Sequence, residues 1–159
     1  MVNHNLSIIG SSSIINQHIE SAKKNGFRII NICTTSKNSK NIKKISANHK
    51  IKNLFFNWKT LLKKIKNEKN HSIFIAPRIR DTSKILEKFC KKSKLKIFVE
   101  KPVSTNSLQI KKLIKFNQRI FIGYNRIFYK NITYLKKLKI KNCLVTAHSP
   151  ESKLSDIKS

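Results

Sequence analysis

The sequence predicts an α/β fold, doubly wound around a mostly parallel Rossmann-type sheet with helices on both faces. Three observations carry that expectation. Short apolar runs alternate with longer stretches of helical spacing, the pattern of right-handed βαβ units. The first apolar run ends at a glycine and passes straight into a helical stretch. No internal repeat and no Pro/Gly/Ser-rich linker interrupts the alternation over 159 residues, a length that suits a single core without disulfide or metal support.

Taken in order, residues 5–10 read as a short buried strand ending at Gly10. Residues 11–25 have helical spacing at Ile14, Ile15, His18, Ile19 and Ala22, and Gly26 stands where a helix C-cap belongs. Residues 27–33 form the second apolar strand, followed by a polar turn at 34–37 and a helix from about 38 to 48. Leu54–Phe55–Phe56 is a short third strand, and Asn57 is the expected N-cap of a helix carrying Trp58, Leu61, Leu62 and Ile65. A fourth strand at 72–76, a helix with Ile85, Leu86 and Phe89, and a fifth strand at 96–100 lead into Lys101–Pro102. A helix through 108–116, a strand at 120–123 and an amphipathic helix around 127–138 follow. Residues 142–148 read as one more strand and 149–159 as a polar, fraying tail. The expected organisation is a Rossmann-type domain over 1–138 and a remnant strand with its tail over 139–159.

Composition bounds the function. Lys and Arg number 35 against 7 Asp and Glu, a formal charge of +28. Lys, Ile and Asn together make 72 residues, all specified by adenine- and thymine-rich codons, so mutational bias is sufficient to account for much of the lysine. Counterion release still predicts non-specific adhesion to polyanions at low salt. No recognised nucleic-acid module stands out, and the lysines run the length of the chain. The runs Lys63–Lys64–Ile65–Lys66 and Lys91–Lys92–Ser93–Lys94 read as solvated helix faces. No apolar run approaches the roughly 20 residues of a membrane span, and residues 1–5 lack a signal-peptide n-region, so a cytoplasmic location without membrane contact is expected. Cysteines at 33, 90 and 143 have no paired spacing and read as buried thiols. Five scattered histidines and seven scattered carboxylates predict no metal site, and no hydrolase or glycosidase signature is found.

The turn Gly10–Ser11–Ser12–Ser13–Ile14–Ile15 sits where dinucleotide-binding folds carry G-x-G-x-x-G, whose glycines let backbone N–H groups approach a pyrophosphate. Only the first glycine is kept. Gly10, Ser12, Ser13 and Ile14 are the candidate contacts, with serine hydroxyls able to bond phosphate, while Ile15 stands where a small residue allows close packing. The position that would carry an acidic ribose ligand is Thr34, and the neighbouring Thr35, Ser36 and Lys37 favour a 2′-phosphate, which tilts NAD(P) binding towards NADP. Beside this stands the plainer reading of a strand-to-helix turn and a solvated polar loop in a nucleotide-free domain.

Val99–Glu100–Lys101–Pro102 after the fifth strand and Gly123–Tyr124–Asn125–Arg126 after the sixth, together with the glycine turn, change the balance. In that order and spacing, over about residues 5–138, the chain resembles the N-terminal NAD(P)-binding domain of the glucose-fructose oxidoreductase/inositol dehydrogenase (Gfo/Idh/MocA) family. The resemblance implies hydride transfer between a nicotinamide dinucleotide and a sugar, cyclitol or related polyol. It assigns Lys101 a catalytic place beside nicotinamide and substrate hydroxyl, where a cation stabilises a forming alkoxide. It puts Glu100, Ala76 and Pro77 against the cofactor and Tyr124, Asn125 and Arg126 on the substrate side. The histidine usual after the fourth strand falls at Thr82, flanked by Arg78, Arg80 and Asp81, and the family's second domain, with its aspartate–histidine pair, is missing by Ser159. His148 stands alone there. The leading expectation is therefore the cofactor half of an oxidoreductase, whose activity would require either a partner chain supplying the missing domain or a tolerant minimal site around Lys101 and Tyr124. The competing expectation is a truncated, inactive binding or interaction module, and a third is nucleic-acid binding driven by charge.

Overall fold

The structure, a computed structural model, describes residues 4–35, 39–124 and 129–137. The chain forms two compact units, residues 1–123 and 124–159. In the first, β1 (His4–Ile9), α1 (Ile14–Lys24), β2 (Phe27–Cys33), α2 (Lys40–Asn48), β3 (Asn53–Phe55) and α3 (Trp58–Ile65) are followed by β4 (His71–Ile75), α4 (Ile79–Lys92), β5 (Lys96–Val99), α5 (Ser107–Leu113), a 3-10 turn (Ile114–Arg119) and β6 (Ile120–Ile122). In the second, helix α6 spans Lys130–Lys137. The strand expected at 142–148 lies outside the described residues.

Six parallel strands run in the order β3-β2-β1-β4-β5-β6. The direction of winding reverses between β1 and β4, and at such a switch point loops after neighbouring strands part to leave a crevice. Side chains alternate across the strands as the twofold period requires. Leu6, Ile8 and Ile32 bury against Ile15 and Ile19 of α1 and Ile42 and Ile45 of α2. Ile9, Ile73, Ile75, Ile97 and Val99 bury on the other face against Leu61, Leu62 and Ile65 of α3 and Ile85, Leu86 and Phe89 of α4. On the α1 side, Phe98 and Phe121 stack with centroids 5.3 Å apart.

The β1–β2 ladder carries one irregularity. Leu6 pairs with Ile29 but Ser7 pairs with Asn31, so Ile30 bulges out of the ladder. Asn53 Nδ2 donates to the freed Ile30 carbonyl at 3.1 Å, which satisfies the group the bulge leaves over.

The helix boundaries follow local chemistry. Asn57 Oδ1 accepts from Lys59 N at 2.9 Å, capping α3 as its sequence position predicted. Gly26 adopts φ +80° just past α1, where a left-handed residue closes the last turn. The helix expected over 108–116 instead tightens after Leu113 into the 3-10 turn. Its greater rise per residue reaches the start of β6 sooner, with Arg119 anchored there. The Arg119 guanidinium donates to Ser93 O at 2.7 Å and Cys90 O at 2.8 Å, closing the orphan carbonyls at the end of α4. Arg119→Met removes both charge-assisted bonds, so a loss of about 2–3 kcal/mol is expected, read as a lower thermal midpoint by circular dichroism.

Cys33 and Cys90 are buried free thiols, and burial pushes them up to about 12 and about 11 respectively. Both are inert packing groups at neutral pH. Cys143 lies outside the described residues. No helix among the described residues is long and apolar enough to cross a membrane.

Candidate functional site

At the switch point, Gly10, Thr34 and Ala76 follow the C-terminal ends of β1, β2 and β4. Their backbones continue the sheet for one step: Gly10 N donates to Cys33 O at 2.8 Å, Ala76 N to Ile9 O at 2.7 Å and Thr34 N to Phe55 O at 3.0 Å. The chain beyond then opens around a cleft of about 390 Å³. Gly10, Ser12, Thr34, Thr35, Ala76 and Pro77, six of the residues singled out from the sequence, all line it.

Gly10 is the position where the backbone demands glycine. Its φ is +152°, and a Cβ there would lie 2.5 Å from Ala76 O and 2.9 Å from Ile15 Cδ1. The isoleucine standing in the place of a small residue therefore fills the space directly behind the turn. The first turn of α1 carries no acidic residue, and its N-cap Ser13 makes no side-chain capping bond. Ile15 N and Asn16 N bond back to Ser12 O and Ser13 O at 3.1 and 3.2 Å. The amides of Ser12, Ser13 and Ile14 ahead of them have no backbone acceptor among the described residues. Such amides, with the partial positive charge of the helix start, suit an anion. Ser13 and Ile14 are exposed at this helix start without lining the cleft.

Where an acidic ribose ligand would stand, Thr34 is buried and its Oγ1 donates to Ser11 Oγ at 3.4 Å. The cleft also takes in Ser11, Ser39, Asn41 and Arg78, which sequence reasoning did not assign to it. Ser11 and Arg78 adjoin assigned residues in the chain and could have been included on that ground. Ser39 and Asn41 carry no local signal, because only the packing of α2 brings them there. No carboxylate lines the cleft, and Arg78 is its one cation among the described residues. Thr35 and Arg78 also border a neighbouring recess of about 580 Å³ with Trp58, Arg80 and Asp81.

Lys101 is exposed at the end of β5 and does not line the cleft. The Lys101–Pro102 peptide is cis. Glu100 turns both carboxylate oxygens to the protein: Oε2 accepts from Lys101 N at 3.0 Å, and Oε1 contacts His18 Nε2 of α1 at 3.0 Å. Gly123 packs close by, its N donating to Val99 O at 2.9 Å. Thr82 is buried on α4, with its hydroxyl donating to Arg78 O at 3.2 Å. Tyr124 is exposed and belongs to the second unit. Lys37, Asn125 and Arg126 lie outside the described residues.

A second constellation escaped the sequence entirely. Ser7 Oγ lies 2.8 Å from His71 Nε2, His71 Nδ1 lies 2.6 Å from Glu68 Oε2, and Asn31 Nδ2 donates to Ser7 Oγ at 2.7 Å. The distances are those of a serine–histidine–acid triad, but Ser7 is wholly buried within β1. No substrate carbonyl can reach that hydroxyl, so the set is a buried polar web that joins β1, β2 and β4. Among the described residues no group of three His, Cys, Asp or Glu side chains could hold a metal ion.

A sequence profile of the oxidoreductase family with an NAD-binding Rossmann fold (GFO_IDH_MocA) matches residues 4–120. Among solved structures, an oxidoreductase from Agrobacterium radiobacter, in complex with NAD+, L-tartaric acid and magnesium, superposes with a TM-score of 0.73 at 15% identity, covering 87% of this chain and 40% of that one. The WlbA dehydrogenase of Bordetella pertussis, in complex with NADH and UDP-GlcNAcA, gives 0.72 at 15% identity, over 86% and 42%. Myo-inositol 2-dehydrogenase of Lactobacillus plantarum gives 0.70 at 17% identity, over 86% and 41%. The chain thus spans about 40% of the length of these structures. No curated protein matches.

Proposed function

The chain belongs to the Gfo/Idh/MocA oxidoreductase family, by its NAD-binding Rossmann domain, and we propose from that premise that the cleft at Gly10 holds a nicotinamide dinucleotide, NADP in preference to NAD, for a dehydrogenase acting on a sugar, cyclitol or related polyol. The observation that carries this reading is the convergence of Gly10, Ser12, Thr34, Thr35, Ala76 and Pro77 on one cleft beside the open start of α1. The donor set fits the group: a turn with no room for a Cβ, serine and threonine hydroxyls, free amides and no carboxylate.

The amides of Ser12, Ser13 and Ile14 receive the pyrophosphate, and Gly10 lets it approach the backbone. Thr34, in place of an acid, removes the repulsion a 2′-phosphate would meet, and Arg78 with Thr35 and Ser39 offers that phosphate a cation and hydroxyls. Bound there, the nicotinamide supplies a hydride acceptor or donor. Lys101 would be the cation beside the substrate oxygen, stabilising it as the hydroxyl proton passes to a base of the second domain and the hydride to the nicotinamide. Glu100, which the resemblance puts against the cofactor, also accepts from Lys101 N and contacts His18 of α1, and so holds the backbone at Lys101. The family resemblance is what assigns Tyr124, Asn125 and Arg126 to substrate. The opposing wall of the substrate cleft comes from a second domain, in a continuation of this chain or in a partner chain.

Titration with NADPH, NADH, ATP and inorganic pyrophosphate at about 0.3 M salt, which screens bulk charge, tests the reading. Micromolar NADPH binding is expected, with NADH weaker. Arg78→Ala should weaken NADPH about 10- to 100-fold and leave NADH nearly unchanged. Equal binding of every polyanion, or none of either dinucleotide, would sink the proposal.

A further inference from the structure

The ends of the sheet are unlike. Opposite the nucleotide cleft, where β4 and β5 begin, lies a groove of about 980 Å³. Six of its thirteen lining residues are lysines: 66, 69, 91, 92, 94 and 96. Lysine makes up 30 of 159 residues overall, so a purely compositional bias would give this groove two or three. The same bias would have placed lysines in the cleft at the other end, whose described lining contains none.

The end of one lysine-dense run, at Lys66, meets the other, at Lys91, Lys92 and Lys94, although the two read from sequence as separate solvated faces. Lys66 and Lys69 come from the end of α3 and the loop after it, and Lys91, Lys92, Lys94 and Lys96 from the end of α4 and the start of β5. All six are exposed. Lys91 pairs with Glu87 at 2.5 Å, and the other five form no ion pair among the described residues. Glu68, the one carboxylate in the lining, is turned to His71. Cations at helix C-termini complement the helix dipole, but each end presents only roughly half a negative charge. Lys69, Lys94 and Lys96 lie beyond the helices altogether. A cationic excess of about three charges remains after Glu68 and both helix ends are counted.

Beneath the groove, the floor is rigid. His71 is joined to Ser7, and His4 Nε2 lies 2.8 Å from Ser72 Oγ, so side chains from β1 and β4 lock its base. No Phe, Tyr or Trp lines it, and its two imidazoles are engaged within the protein, His4 with Ser72 and edge-on to Phe27, His71 with Ser7 and Glu68, which leaves no free platform for stacking a base.

We propose that this groove binds the phosphodiester backbone of a nucleic acid without regard to base sequence. Unpaired lysines on a fixed base attract closely spaced phosphates, and the lack of stacking groups removes base preference. The site lies at the opposite ends of the strands from the dinucleotide cleft and does not depend on it.

The test measures fluorescence anisotropy of labelled single-stranded RNAs of roughly 16 nucleotides, of mixed, all-uridine and all-adenosine sequence, with the full chain at about 0.15 M salt. The triple variant Lys66→Glu, Lys69→Glu, Lys94→Glu is compared with a charge-matched control, Lys24→Glu, Lys43→Glu, Lys111→Glu, whose positions are also exposed and lie outside the groove. Melting curves check that both fold. The groove variant should bind at least about tenfold more weakly than the control, with the slope of log affinity on log salt shallower by about two. The three RNAs should bind wild type within about threefold of one another. Equal weakening in the two triple variants would overturn the proposal, since bulk charge would then account for binding. A strong preference for one base would overturn it too, as would groove-dependent capture by anionic vesicles in the absence of RNA binding. Arg78→Ala should leave RNA binding unchanged, which separates this result from failure at the cleft.

Discussion

Gly10→Ala is expected to lower the thermal midpoint by roughly 6–15 °C and to abolish measurable dinucleotide binding. Two costs combine. The left-handed φ of +152° strains any side chain, and the new Cβ would press to 2.5 Å from Ala76 O, a backbone atom that cannot step aside. Backbone strain and overpacking of this kind together cost about 2–4 kcal/mol. Relief requires the loop after β4 to withdraw from β1, and the Ala76 N to Ile9 O bond of 2.7 Å opposes that. A calorimetric or circular-dichroism melt beside an NADPH titration reads both effects. A variant that melts like wild type would mean the turn is looser than described. One that melts lower yet binds NADPH normally would separate Gly10 from the cofactor.

The second large effect is expected at His71. His71→Ala removes the imidazole partner of Ser7 Oγ, leaving it only the Asn31 Nδ2 donor, and opens a cavity among β1, β2 and β4, a loss of about 2–4 kcal/mol. The same residue gives the fold a dependence on pH. Burial holds the imidazole below its ordinary value, and the proximity of His4 pushes the same way, while Glu68 opposes both. The unfolded chain therefore takes up a proton at His71 near pH 6.5, before the folded chain does. Stability from this residue is fully present above that pH and is lost as pH falls below it, at up to about 1.4 kcal/mol per unit. Melting temperature should fall between pH 7 and pH 5, and the decline should be shallower in His71→Ala. An equal slope in both proteins would remove the buried web as its source.

Much of the architecture was legible because it depends on neighbours in the chain. The apolar runs gave each strand of the sheet to within a residue or so, since a strand buried on both faces is written as an uninterrupted run. Asn57 and Gly26 marked helix ends through backbone chemistry that involves only adjacent residues. The Glu100–Lys101–Pro102 and Gly123–Tyr124–Asn125–Arg126 motifs identified the family that the profile over residues 4–120 establishes. Six cleft residues were named in advance for the same reason, each standing at the end of a recognisable strand.

What escaped depends on strand register and helix packing. Ser7 and His71 are 64 positions apart and meet only because β4 pairs with β1. Asn31 reaches Ser7 only because Ile30 bulges from the ladder. Ser39 and Asn41 arrive at the cleft with α2, and Lys66 shares a groove with Lys91, Lys92 and Lys94 because the ends of α3 and α4 both reach it. Nothing in the local pattern of any of these residues encodes the partner.

Trp58, at the start of α3, borders the recess that Thr35 and Arg78 share with the cleft, and it is the chain's one tryptophan. Excitation at the red edge of protein absorbance therefore makes this protein a single-emitter system, with the emitter already stationed next to the proposed binding site. Its emission overlaps the absorbance of a reduced nicotinamide, so energy transfer would report occupancy by NADPH or NADH without a dye. The oxidised forms would quench through contact alone, and the contrast between them would give the redox state of the occupant in the same cuvette.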